Sequence, residues 1–241
     1  MPSVAQLALS FLAVAQTPRE VPVAEEPSHH KVFENSYVRV FRVTIPANRS
    51  SLLHRHDLDY LYVSLGPADI INAVAGKAEI RPKLVDGQLG YAKGGFAHVA
   101  TAVGMPFNNV TIELLRPQSA EQNLCAQVVP GGPGSICNRF TGAKDQTFSL
   151  EPQMETSEMD VDLVKFDGQR SESPLRPESL LVSLDDPGIQ VNLSGSPGKA
   201  LRKGEVAWIG PDPHGDVSNP GGKLCRYLQL TFKDNDPKGK S

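Results

Sequence analysis

Residues 51–66 read SLLHRHDLDYLYVSLG. Along a β-strand successive side chains point to opposite faces. His54 and His56 therefore project together, with Tyr60 and Tyr62 on the same face and Arg55, Asp57 and Asp59 on the other. Paired imidazoles on one strand are a common way to hold a transition metal. Leu61, Val63 and Leu65 occupy the face opposite the tyrosines. A face open to water would be polar, so the stretch is expected to be covered on both sides.

The flanking sequence has the same period. Val38–Ile45 alternates and is rich in β-branched residues, which reads as a strand entered by a turn. Residues 69–74 and 78–84 follow as short strands, and Asp86-Gly87 marks a tight turn. Residues 89–92 run into Lys93-Gly94-Gly95-Phe96-Ala97-His98, a glycine turn that delivers a third histidine. Residues 100–103 and 110–115 complete this half, and none of it has a helical period. Residues 117–146 are polar and rich in Gly and Pro, as in a linker. Strands then resume at 161–166, 180–184, 189–193, 206–209 and 226–232. The chain's 21 glycines and 20 prolines match this many turns.

The two halves resemble each other. LYVSL at 61–65 matches LLVSL at 180–184, DGQLGY before His98 matches RKGEVAW before His214, and VTIEL at 110–114 matches YLQLT at 227–231. Three matches in one order point to a duplicated β domain. Aligning the Val-Ser-Leu runs puts Ser173, Leu175 and Ser179 where His54, His56 and Tyr60 stand. His214 alone remains in the second half, and one histidine does not make a metal site.

At this point the chain resembles the cupin superfamily, whose double-stranded β-helix or jelly-roll barrel holds its ligand site inside. The first cupin motif has Gly, five residues, His-x-His, a Glu after three or four residues, and a closing Gly. Here Asn48 stands at the first glycine, His54 and His56 match, and Gly66 closes the motif one residue early. In the second motif Gly87, Gly95 and His98 match, while Lys93 replaces a proline and Ala102 an asparagine. The motif's glutamate has no counterpart, because Tyr60 takes its place and Asp59 has the wrong parity.

The resemblance implies an all-β chain of two jelly-roll barrels in tandem. Residues 29–116 would form the metal-type barrel and 147–233 a degenerate one; the polar run 234–241, DNDPKGKS, reads on its own composition as a solvated tail. It implies one divalent transition metal on His54, His56 and His98. Iron is favoured by analogy with thiol- and diketone-cleaving dioxygenases of the family, and Zn, Mn, Ni and Cu are compatible with imidazole. Tyr60 would donate a hydrogen bond to the bound substrate or oxygen, and Tyr62 would shape the pocket. A dioxygenase-like oxidoreductase acting on a small organic molecule is the leading expectation. A non-catalytic ligand-binding or structural cupin is the alternative. His29-His30, ahead of the first strand, read as surface residues.

Composition narrows the partners. The net charge is −3 over 241 residues, without a basic stripe or a polybasic block. Neither nucleic acid nor a membrane surface is indicated, and a small molecule or a second copy, as a homodimer, remains. No Gly-x-Ser-x-Gly elbow supports a hydrolase. Residues 1–15 are apolar and end in Ala13-Val14-Ala15, as in a cleaved export signal, but lack a basic start; a buried N-terminal helix is the other reading. Export implies a periplasmic or secreted protein, the alternative being cytoplasmic. In an oxidising compartment Cys125 and Cys137, flanking a Pro/Gly-rich loop, are a candidate disulfide, whereas Cys225 in an apolar run reads as a buried thiol.

Overall fold

A computed structural model describes residues 19–123, 127–128, 135–136, 148–168 and 172–233. The candidate signal segment 1–15, the Cys125–Cys137 pairing, most of the 117–146 linker and the 234–241 tail lie outside the described residues. Those residues are nearly all β, with one 3-10 turn at Val23–Glu25, and none of their helices is long and apolar enough to cross a membrane.

The first half contributes β1 (Val21–Pro22), β2 (His29–Glu34), β3 (Val38–Ile45), β4 (His54–His56), β5 (Tyr60–Ser64), β6 (Ala68–Val74), β7 (Lys83–Leu84), β8 (Leu89–Ala92), β9 (Phe96–Ala102) and β10 (Phe107–Leu114). They form two five-stranded sheets, ordered β1-β4-β9-β6-β7 and β2-β3-β10-β5-β8. After β11 (Gln122–Asn123), β12 (Gln127–Val128) and β13 (Ser135–Ile136), the second half adds nine strands. These are β14 (Phe148–Glu155), β15 (Met159–Asp167), β16 (Glu172–Pro174), β17 (Ser179–Ser183), β18 (Ile189–Leu193), β19 (Lys199–Leu201), β20 (Val206–Ile209), β21 (Gly215–Ser218) and β22 (Leu224–Phe232). They assemble as β11-β14-β15-β22-β17-β20 and β16-β21-β18-β19.

Alternation decides which side chains reach which core. On β3, β5 and β10 the inward residues include Phe41, Val43, Ile45, Tyr62 and Phe107, which pack inside the first barrel. The outward residues Val38, Val40, Leu61, Val63, Val110, Ile112 and Leu114 pack against Met159, Val161, Leu180, Val182, Leu228 and Leu230 of the second. The apolar outer face of residues 61–65 is thus covered by the other half of the chain. Trp208 seals this seam by stacking on Tyr37, ring centroids 5.3 Å apart. At its edge Asp86, in the turn before β8, pairs with Lys203 and Arg226 of the second half, each at 2.7 Å. Gly87 in that turn has φ +76°, and Asn48, standing at the motif's first glycine, has φ +56°, a left-handed conformation that asparagine tolerates.

An apolar core packs inside the second barrel. Val164, Phe166, Leu181, Ile189, Val191, Leu201, Ile209, Val217 and Tyr227 form its core, with Cys225 buried and free. Burial pushes the Cys225 thiol up to about 11.

Candidate metal centre

Four imidazoles meet inside the first barrel. His54 and His98 face each other in register across β4 and β9, their ring centroids 4.4 Å apart. His56 follows on the same face, 5.1 Å from His54 and 5.3 Å from His98. His29, at the start of β2, comes from the opposite sheet and stands 4.8 Å from His54 and 6.0 Å from His56. The nearest ring nitrogens of His29, His54 and His56 all lie within 4.8 Å of one another. The surface position expected for His29 is therefore corrected. Its side chain is only 6% exposed, whereas His30, one residue on and of opposite parity, does face solvent.

Hydrogen bonds fix the rings. His54 Nδ1 donates to the Leu52 carbonyl at 2.9 Å, and His98 Nδ1 donates to Asn72 Oδ1 at 2.7 Å. His29 Nδ1 donates to Glu26 Oε2 at 2.7 Å. An acceptor at Nδ1 holds the proton there and leaves Nε2 with its lone pair, the form that binds metals. His54 Nε2, His98 Nε2 and His56 Nδ1 are buried with no hydrogen-bond partner. Unpaired polar atoms in a buried site are costly, and three of them on neighbouring imidazoles call for a shared partner. Burial pushes His54 down to about 4 and His98 to about 3. His56 is depressed further, by burial first and then by its histidine neighbours. All three are neutral at ordinary pH, as metal ligands must be. The donor set fits a transition metal.

Around the imidazoles lies a cavity of about 80 Å³. The Tyr60 ring stacks on His56 with centroids 4.1 Å apart and an interplanar angle of 21°. Tyr62, Asn72, Asn109 and Thr111 supply the other polar groups, and Ile45, Ile70, Ile80, Leu84 and Phe107 an apolar wall. Among the described residues, none that lines it is Asp, Glu, Lys or Arg. Asp59 points away from the cavity, where its carboxylate accepts from Tyr91 Oη at 2.5 Å and from the Gly94 amide at 3.0 Å.

The second barrel has no such cluster among its described residues. Ser173 and Val217 occupy the opposed places of His54 and His98. Arg176 and Asp162 of this half form an ion pair at 3.0 Å, with Asp162 buried and the Arg176 side chain partly exposed. The expected counterpart of His98 was His214, which instead sits exposed in the preceding turn.

No protein-family model and no curated protein matches the chain. Solved structures do. A cupin 2 conserved barrel domain protein from Leptotrichia buccalis shares 10% identity at a TM-score of 0.55, covering 90% of this chain and 92% of that one. The chain has the cupin fold. Two further structures are similar to this pair of cupin barrels. AerE from Microcystis aeruginosa shares 9% identity at a TM-score of 0.61, over 87% of this chain and 99% of that one. A salicylate 1,2-dioxygenase from Pseudaminobacter salicylatoxidans shares 11% at 0.59, over 87% and 77%.

Proposed function

We propose that the first cupin barrel is a metal-dependent site acting on a small anionic molecule with an apolar body, in a dioxygenase-type oxidation. The observation that carries this is the set of buried, unpartnered nitrogens on His54, His56 and His98 beside a cavity with no Asp, Glu, Lys or Arg among its described lining residues. These three histidines would hold the metal. A divalent iron, or another transition metal, would supply a Lewis acid and, where redox-active, a centre for oxygen chemistry.

The chain's own groups define the ligand. Neutral imidazoles and a described lining free of carboxylates leave a bound divalent cation only partly matched, by Glu26 behind His29, which favours an anionic head such as a carboxylate or enolate. The Ile45, Ile70, Leu84 and Phe107 wall receives an apolar body and keeps water out. Burial raises the Tyr60 phenol well above its ordinary range, so its hydroxyl stays protonated and donates to the ligand's head. Thr111 Oγ1 donates to Asn109 Oδ1 at 2.8 Å and fixes that amide on the cavity wall. The likeness to a salicylate dioxygenase supports the same reaction class.

The test is oxygen consumption by iron-loaded protein across small carboxylates, diketones, thiols and phenolates. Uptake dependent on an anionic substrate and lost in His54→Ala/His56→Ala is expected. Tight anion binding without any oxygen uptake would overturn the oxidation and leave a binding protein.

A further inference from the structure

The segment ahead of β2 forms a strap between the two sheets of the first barrel. Val21 and Pro22 run parallel to His54 and Arg55, and the Val21 amide donates to the Leu53 carbonyl. Val23 plugs the barrel core, Glu26 is 3% exposed, and His29 opens the strand beside Val43. Glu26 has an unusual set of contacts for a buried carboxylate. Its Oε2 accepts from His29 Nδ1, from the Ser28 amide at 2.8 Å and from the Ser28 hydroxyl. Its Oε1 accepts from the Leu52 amide at 3.1 Å, and the Leu52 carbonyl in turn accepts from His54 Nδ1. Among the described residues no Lys or Arg pairs with it.

We propose that His29 is a fourth ligand of the metal centre and that Glu26 is the positioning residue for both His29 and His54. This rests on the metal-site reading of His54, His56 and His98. An anion buried away from any Lys or Arg is expensive, and a cation beyond the His29 ring would offset it. A carboxylate behind an imidazole is also the usual way of fixing a ligating histidine. The strap supplies what the histidine strand lacks, since Tyr60 stands where that strand would have provided a further ligand. It also brings the N-terminal segment to the site through His29, which lines the cavity.

Full-length, metal-stripped protein titrated with Co(II) tests this, read by affinity and by the visible ligand-field spectrum. Wild type should bind about one equivalent. His29→Ala should bind at least about 10-fold more weakly, with a changed spectrum. Glu26→Gln should weaken binding by about 10- to 100-fold, and His30→Ala, on the surface, should match wild type. If far-UV circular dichroism shows that His29→Ala does not fold, His29→Gln, which fills more of the space, takes its place in the same titration. A His29 variant with wild-type affinity and spectrum overturns the fourth ligand, and an unchanged Glu26→Gln overturns the positioning role. Wild type that takes up no Co(II) overturns the proposed function and this inference together.

Discussion

His54 and His98 are directly opposed residues on neighbouring antiparallel strands. Opposed side chains on one face of a ladder lie close enough to share a partner. The same two places in the second barrel hold Ser173 and Val217. Untagged protein should therefore carry about one metal per chain, not two, by elemental analysis. His54→Ala/His56→Ala should lose it, while Ser173→Ala should keep it. Equal metal in the double variant and wild type would remove the site.

The Tyr60 ring lies flat on His56, and its hydroxyl is assigned a separate task. Tyr60→Phe preserves the stack and removes only the donor. Metal content and thermal midpoint should stay close to wild type, while turnover falls about 10- to 100-fold, the worth of one hydrogen bond to a charged group. Steady-state oxygen uptake measures this. An unchanged rate would mean that the hydroxyl does not touch the ligand.

Strand parity explains why the arrangement of much of the candidate site is legible in residues 51–66. A period of two fixes which side chains share a face, so the histidines, the tyrosines, the outward Asp59 and the covered Leu61–Leu65 face all follow from one register. Elsewhere the local pattern is weak. His29 sits among polar residues at the edge of a sheet, and its only sequence signal was the acid three positions earlier, Glu26. The β14 strand was hidden by Pro152, beside which the ladder slips register before Met154. His214 followed a similar turn to His98, but a three-residue offset left it in solvent and put Val217 at the barrel position.

The seam between the barrels is apolar on both sides, so the two halves should unfold together. The chain has a single tryptophan, and Trp208 sits at that seam, where its fluorescence reports on docking. In urea, Trp208 fluorescence and far-UV circular dichroism should change in one coincident transition. Leu61→Ala and Leu230→Ala, from opposite barrels, should each lower its free energy by about 2–5 kcal/mol. Two separated transitions would show that each barrel stands alone.

Asp86 gives the seam a pH dependence. Burial alone would raise its carboxyl, but hydrogen bonds from Lys203 and Arg226 outweigh that and hold it below its ordinary value. A carboxylate with a depressed folded pKa contributes stability above its unfolded value, near 4, and loses it as pH falls through the folded one. Asp86→Asn should cost about 1 kcal/mol or less at pH 7, since the group is partly solvated. It should also lessen the loss of stability below about pH 4. Denaturation midpoints from pH 7 down to 3 provide the measurement, and parallel curves for the two proteins would exclude the contribution.

Gly90 lies opposite Tyr62 on β8, facing into the first barrel. Its backbone is ordinary, so conformational freedom is not why glycine stands there; a Cβ would overlap the Tyr62 ring. The glycine creates the space that the tyrosine fills, and the tyrosine in turn borders the cavity. Gly90→Ala should force the ring toward the apolar wall, destabilising the fold by about 1–3 kcal/mol through overpacking and narrowing the site. Tyr62→Leu in the same chain should recover most of the lost stability, because the ring that clashes is gone. Denaturant titration of the single and double variants gives the coupling between the two positions. If Gly90→Ala is as stable as wild type, the Tyr62 ring has another place to go, and it does not set the shape of the pocket.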